Sequence, residues 1–260
     1  MKQAPASLSW LGLLIGIALL SPASAQATPL GVAPLLVCAN GECQDLSPFM
    51  VPGAGDQTNF DVRATFRDSE LHLVGAFDTD PFITFGATTT NLVTGPVTYA
   101  FLFGTPIVPG FYNTATSLGI VSIKNGEGET ATVATSAIYP TFISGYGTLG
   151  LSPTNLGVDL GTVPCVATGL PFVGTTVCNQ GTASNTFAPT FYDNLEALLT
   201  YTQTDQGSVA GWTGTVTLTA EAGVPEPASL LLVASGALGL MAGRRGWNRT
   251  ARRRRERPAA

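Results

Sequence analysis

Histidine, a frequent catalytic base and metal ligand, occurs once in this 260-residue chain, at His72. It lies between Leu71 and Leu73 at an alternating strand position, which predicts an ordinary solvent-facing side chain. A Ser-His-Asp triad would have to use this one residue, and no G-x-S-x-G motif is present. A histidine-based zinc site is excluded by the same count. Since no P-loop or dinucleotide fingerprint occurs either, we predict no catalytic residue and no enzyme.

Carboxylates beside turns are the other candidates for chemistry. Asp78 and Asp80 flank one turn, and Asp56 and Asp61 flank another. Ca²⁺ prefers such oxygen ligands on irregular loops, but the D-x-D-x-D-G pattern is missing. We therefore predict no metal and no cofactor, with structural Ca²⁺ as the alternative. A secreted hydrolase with paired carboxylates is a further alternative, because sequence does not show whether two carboxylates face each other across a cleft.

Aromatic side chains suggest a binding function as a second possibility. Trp212 and the tyrosines could stack on sugar rings, as in a carbohydrate-binding module. Trp212 stands beside the start of a strand, however, where a tryptophan is more often part of the core.

Four cysteines are present, Cys38, Cys43, Cys165 and Cys178. An even number in an exported chain predicts disulfides, and four cysteines allow three pairings. We favour the local pairing, Cys38–Cys43 and Cys165–Cys178, because Asn40-Gly41 supplies a tight turn within the first pair. A metal site of four thiolates is the alternative, although the C-x-x-C spacing is missing.

The last forty residues have three parts in a fixed order. Val224, Pro225, Glu226 and Pro227 form a polar motif, an uncharged apolar run follows from Leu230 to Ala242, and eight arginines follow that run. The run with its flanks would form a helix of about 24 Å, short of a bilayer core of about 30 Å. The arginine cluster nevertheless predicts a transmembrane helix with a cytoplasmic end. The two prolines keep the motif extended and accessible to a protease.

This order of motif, apolar helix and arginine cluster resembles the PEP-CTERM sorting domain of Gram-negative bacteria. The resemblance covers about 35 residues from Val224 onward. It implies that an exosortase, a membrane cysteine protease, recognises the motif while the chain is transiently inserted in the inner membrane. A plain C-terminal membrane anchor is the alternative.

The N-terminus has the layout of a secretory signal peptide, with Lys2, an apolar core from Leu8 to Leu20 and small residues before a cut after Ala25. We therefore divide the chain into a signal peptide (1–25), an ectodomain (26–223) and a sorting signal (224–260). Export through the Sec machinery follows from this division.

The ectodomain is strongly acidic. It contains 15 acidic residues and only three basic ones, Arg63, Arg67 and Lys124, which gives a net charge of −12. Repulsion from phosphates excludes nucleic acid as a partner.

Short alternating segments predict a mainly β ectodomain, an antiparallel β-sandwich of some ten strands. The clearest are residues 59–66, 70–77, 82–90, 97–103, 118–124, 130–139 and 213–219. Residues 142–151 and 158–163 are weaker candidates, and Leu195 to Thr204 is favoured as a strand over a helix. We expect 82–90 to pair with 97–103, 118–124 with 130–139, and 195–204 with the final strand, with a loop over 179–189.

The sequence thus predicts an exported protein of the cell envelope, outer surface or extracellular matrix with a structural or adhesive role. The alternative is a module that binds exopolysaccharide, and a hydrolase is the least favoured reading.

Overall fold

The computed structural model describes residues 35–150 and 152–220, and within these ranges the chain is almost entirely antiparallel β-structure. A single 3₁₀ turn, Ser47–Phe49, is the only helical element described there, and no helix long and apolar enough to cross a membrane occurs in those ranges. The strands are β1 Leu35–Ala39, β2 Glu42–Asp45, β3 Val51–Pro52, β4 Gln57–Thr65, β5 Ser69–Asp78, β6 Phe82–Asn91, β7 Val97–Lys124, β8 Thr130–Ala134, β9 Ile143–Leu149, β10 Ser152–Asn155, β11 Cys165–Thr168, β12 Thr175–Gln203 and β13 Val209–Ala220.

Two long strands, β7 and β12, organise the fold. They pair with each other from Thr175↔Lys124 to Gln203↔Val97, with register shifts on both sides of the stretch Thr190–Tyr192. Such irregularities bend a strand pair. The ends of the pair therefore contribute to two different layers. The signal peptide, the sorting signal and the two predicted domain boundaries lie outside the described residues.

The first layer contains β3, β4, β5, β6, β13, the second half of β7 and the first half of β12, in that order. The second layer contains β2, β1, the first half of β7, the second half of β12, β9 and β10, with β8 and β11 attached at its end. Alternating apolar residues on each strand face inward, because side chains alternate across a pleated strand.

The layers pack face to face through aromatic rings. Phe85 of β6 stacks on Phe103 of β7 with ring centroids 4.5 Å apart. Phe60 of β4 lies 6.0 Å from the same Phe103 ring. Trp212 of β13 lies 5.5 Å from the ring of Tyr201 of β12. The predicted mainly β, antiparallel ectodomain is therefore confirmed, and these contacts give it two layers.

A buried polar network also joins the layers. The Thr89 hydroxyl donates a hydrogen bond to the Gln203 Oε1 atom at 2.7 Å, and Gln203 Nε2 donates to the Ser208 carbonyl at 2.8 Å. The Tyr201 hydroxyl lies 2.8 Å from the Thr89 hydroxyl. Each of these buried polar groups has a hydrogen-bond partner, which offsets the free-energy cost of removing it from water.

Several predicted pairings are wrong. The strand predicted over 97–103 does not end there, because β7 runs on through Pro106 and Pro109 at the bend. Residues 118–124 therefore pair with β12 and β13, whereas β8 ends at Ala134 and pairs with β11 and β12. Likewise β6 pairs with β5 and β13, and not with residues 97–103.

Three further expectations need correction near β12. The expected loop over 179–189 is part of β12, since its polar residues alternate along an exposed strand. The strand expected over 158–163 is reduced to one isolated bridge, Ile143↔Leu160. Residues 195–204 do form a strand up to Gln203, but its partners are β7, β8 and β9, and not β13.

Candidate functional site

His72 lies on the outer face of the first layer, as predicted. Its Nε2 atom is 2.7 Å from Asp61 Oδ1, and the two side chains are 33% and 77% exposed. Arg63 and Thr88 are its cross-strand neighbours. These residues line a shallow, open depression of about 340 Å³. Asp61 is the one hydrogen-bond partner of His72 among the described residues, so this surface pair has no positioned nucleophile beside it.

The acidic turns come partly together. Asp56, Asp78 and Asp80 line one open groove, where the Asp80 amide donates to Asp78 Oδ1 at 2.9 Å. Asp61 does not join them, because it lies within β4 and faces His72. Over residues 35–150 and 152–220, no three acidic, histidine or cysteine side chains form a group that could hold a metal ion.

The four cysteines form two disulfides within the described residues. Cys38 is bonded to Cys43, and Cys165 is bonded to Cys178. This is the local pairing favoured above. It leaves no free thiolate for a metal site among these ranges. The first bridge closes the turn in which Asn40 and Gly41 both have positive φ angles, 48° and 83°.

Trp212 cannot stack on a sugar, because it is only 2% exposed. Its ring packs between Tyr201 and Phe142, with centroid distances of 5.5 and 4.9 Å. The reading of Trp212 as a binding residue is therefore wrong, and the reading as core is right. Four of the six tyrosines are also buried, namely Tyr99, Tyr112, Tyr192 and Tyr201.

Tyr139 and Tyr146 are the two tyrosines that remain accessible. Tyr139 is 39% exposed, in the segment between β8 and β9, and Tyr146 is half-buried on the outer face of the second layer. Strand register places Asn155 of β10 and Glu196 of β12 directly opposite Tyr146, one on each side. Directly opposed residues share a face of a sheet, so the three side chains form a row.

Hydrogen bonds and charges tie two more groups to this row. Asn155 donates to the Asp159 carboxylate at 3.3 Å, and Asn194 donates to Glu196 Oε1 at 3.3 Å. Burial raises the pKa of the Tyr146 phenol, and the negative charges of Asp159 and Glu196 add to that rise. Burial also raises the pKa of the Glu196 carboxyl, against the opposing effect of the Asn194 hydrogen bond. The Tyr139 phenol is also near enough for its charge to raise the pKa of Tyr146. We call Tyr139, Tyr146, Asn155, Asp159 and Glu196 the tyrosine–carboxylate surface.

Sequence reasoning missed this surface. Alternation along residues 195–204 predicts that Glu196 and Leu195 point to opposite faces of their strand. The strands that pair with β12 were not predicted, so the neighbours of Glu196 were unknown. The five residues come from four separate segments of the chain, so no local motif marks them.

The sorting motif itself lies outside the described residues, and its assignment rests on comparison. Residues 223–245 match the family described as "PEP-CTERM protein-sorting motif". The chain carries a PEP-CTERM sorting motif. This confirms the resemblance noted from Val224, Pro225, Glu226 and Pro227 and from the segment that follows them. Export and sorting to the cell surface follow from the motif.

Comparison with other proteins adds little about the ectodomain. No sequence match was found among curated proteins. TmCBM61 in complex with β-1,4-galactotriose is 6% identical over 58% of this chain and 88% of its own, with a TM-score of 0.23. The adhesin domain of Epf from Streptococcus pyogenes is 10% identical over 72% of this chain and 59% of its own, with a TM-score of 0.30. The CBM22-1-GH10 modules of the Clostridium thermocellum xylanase 10B are 11% identical over 55% of this chain and 23% of their own, with a TM-score of 0.24. At such low TM-scores, these similarities have no weight for fold or for binding.

Proposed function

We propose that this PEP-CTERM protein is processed by an exosortase after Sec export and then serves a structural or adhesive, non-catalytic role at the cell surface or in the extracellular matrix. The observation that carries the proposal is the sorting motif at residues 223–245. The two disulfides support it, because such bonds persist in oxidising, extracytoplasmic compartments. The ectodomain is the cargo that the sorting signal delivers.

The test is the intact mass of the protein recovered from the envelope and the culture medium of a host that contains an exosortase. The wild-type mass should lack residues 1–25 and the residues beyond the motif. The double variant Pro225→Ala/Glu226→Ala should keep its tail. Glu221→Ala, which changes a nearby acid outside the matched residues, should be processed as the wild type is. A retained tail in all three proteins would make the segment a plain membrane anchor.

A second candidate function is carbohydrate binding, and the tyrosine–carboxylate surface is the observation that favours it. Sugars are bound by aromatic faces together with hydrogen-bonding groups, and this surface offers Tyr139 and Tyr146 beside Asn155, Asp159 and Glu196. Carboxylate and amide oxygens can accept hydrogen bonds from sugar hydroxyls. An uncharged or cationic polysaccharide suits the net charge of −12 better than an anionic one.

This candidate is tested by affinity electrophoresis in gels that contain the exopolysaccharide of the host. Tyr139→Ala/Tyr146→Ala should weaken binding about tenfold or more, equivalent to about 1.4 kcal/mol. Phe111→Ala is the matched control, because Phe111 is 58% exposed and lies at the bend of β7, away from this surface. Equal mobility shifts for both variants would remove the tyrosine–carboxylate surface as the binding site.

A further inference from the structure

The first half of β12, Thr175–Thr186, lies at the edge of the first layer, and we call it the free edge. It pairs with β7 on one side, from Thr175↔Lys124 to Thr186↔Thr114. No described backbone amide or carbonyl bonds to its backbone on the other side, and none of its residues is buried. Two of its side chains, Gln180 and Asn185, donate hydrogen bonds to the Val163 and Leu156 carbonyls at 3.4 and 2.7 Å. A strand edge of this kind presents unpaired amide and carbonyl groups to any extended chain that approaches it.

The free edge lacks the charges and prolines that usually protect such strands, and the irregularity between Asn179 and Gly181 is its one protective device. No charged residue occurs from Thr175 to Tyr192, a run of 18 residues in an ectodomain with net charge −12. The other short or outer strands are protected. Glu42 and Asp45 bracket β2, Pro52 ends β3, and Pro153 interrupts β10. Charges and prolines at these edges disfavour pairing with another chain, and the free edge has neither.

One irregularity divides the free edge. The register shifts between Asn179 and Gly181, where the Gly181 amide bonds to its neighbour Asn179 Oδ1 at 2.8 Å. Near this point, the Cys165–Cys178 disulfide ties β11 to the strand. Beyond the shift, Gly181–Thr186 continues in regular register with β7. This second part is the length of strand that can accept a partner.

We propose that the partner is a second copy of this chain, paired antiparallel with itself along Gly181–Thr186. An antiparallel pair of identical strands is related by a two-fold axis, so both copies use the same surface. Two domains of charge −12 repel each other, and an uncharged edge is where they can approach at the smallest electrostatic cost. The first layer would then continue through both molecules as one sheet.

The two described ends of the chain lie across β7 from the free edge. The two ends of the described ranges, Leu35 and Ala220, belong to β1 and β13. Both of these strands pair with β7 on the side opposite to β12. Neither described end therefore occupies the free edge, and the pairing proposed here does not depend on the proposed function.

The first experiment is sedimentation velocity of the purified exported protein over a wide concentration range. The wild type should sediment as a dimer that dissociates on dilution. Thr182→Lys/Ser184→Lys should be monomeric at concentrations where the wild type is dimeric, since like charges directly opposed on neighbouring strands repel. Both side chains are exposed on the outer face. The matched control is Thr88→Lys/Thr213→Lys, with two exposed threonines at the centre of the same face, and it should remain dimeric.

Hydrogen–deuterium exchange of the wild type is a second test of the pairing, and it needs no variant. Amides of Gly181–Thr186 should exchange more slowly as the wild-type concentration rises, whereas amides of β13 should be unaffected. A wild type that is monomeric throughout would overturn the proposal. A dimer without concentration-dependent protection of Gly181–Thr186, or equal dimerisation of the edge and centre variants, would also overturn it.

Discussion

The Phe85 ring stacks on the Phe103 ring from the opposite layer, with centroids 4.5 Å apart and planes 11° from parallel. Both residues are almost fully buried, and Phe60 and Phe101 extend the stack on the side of Phe103. Through this column of rings, β4 and β6 of the first layer pack against β7 in the second layer.

Phe103→Ala should therefore lower the free energy of unfolding by about 3–5 kcal/mol, the usual cost of removing a buried phenylalanine. The loss combines the transfer free energy of the ring with the cavity that remains. Urea unfolding followed by tryptophan fluorescence measures it. Phe49→Ala, at a side chain that is 60% exposed, should cost far less. Equal losses for both variants would contradict the assignment of the ring column as the core.

For β7, the sequence predicts which residues are extended but not that they form one strand. Alternation correctly located residues 97–103 and 118–124 as extended, because one-sided burial is a local pattern. It could not show that both segments belong to one bent strand, since Pro106 and Pro109 ordinarily end strands. Pro106 here faces Asn194 at a register irregularity, where a missing amide donor costs little. Strand partners depend on contacts between distant segments, so the pairings predicted for 82–90, 118–124 and 195–204 were wrong.

The same distinction applies to the candidate sites. Side-chain exposure of His72 followed from its place in an alternating segment, and the local disulfides followed from spacing and from the turn at Asn40-Gly41. The burial of Trp212 and the row of Asn155, Tyr146 and Glu196 follow from tertiary packing and register. No pattern within one strand contains that information.

The Asp205 carboxylate clamps the loop after β7. Its two oxygens accept hydrogen bonds from the Gly126 and Gly128 amides at 2.7 and 2.8 Å. Asp205 also has a positive φ of 74°, which asparagine and aspartate tolerate better than other non-glycine residues. Asp205→Ala should cost about 2–4 kcal/mol in unfolding free energy, because it removes two hydrogen bonds to a charged acceptor.

Asp205→Asn separates the two contributions to that loss. Asparagine keeps the backbone preference and one acceptor oxygen, so this variant should lose less stability than Asp205→Ala. Asp193→Ala serves as a control, since its exposed carboxylate reaches the Gly150 amide only at 3.2 Å. Equal stability of the Asp205 and Asp193 alanine variants in urea unfolding would show that the clamp is unimportant.

The two disulfides should differ in their contribution to stability. Cys165–Cys178 spans 13 positions and Cys38–Cys43 spans 5. The chain-entropy relation gives about 3 kcal/mol for the longer loop and about 2 kcal/mol for the shorter one. Cys165→Ala/Cys178→Ala should therefore lower the free energy of unfolding more than Cys38→Ala/Cys43→Ala does. Thermal unfolding of the two double variants beside the wild type measures the order, and the reverse order would contradict it.

Glu196 should make the stability of the protein depend on pH. Burial raises the pKa of its carboxyl in the folded state above the unfolded value of 4.5. A raised pKa means that the folded state holds the proton more tightly, so the stability from this group is present at acid pH and is lost as pH rises through the folded pKa. At neutral pH, the half-buried charge therefore opposes folding, and Glu196→Gln should be more stable than the wild type.

The difference between the two proteins should shrink towards zero as pH falls below the unfolded pKa of 4.5, because both side chains are then uncharged. Urea midpoints measured from neutral to acid pH give this curve. Glu70→Gln is a matched control, since Glu70 is an exposed glutamate on the outer face of the first layer. A gain for Glu196→Gln that persisted unchanged at acid pH would come from packing, and a gain of equal size for Glu70→Gln would come from general charge repulsion in this acidic domain.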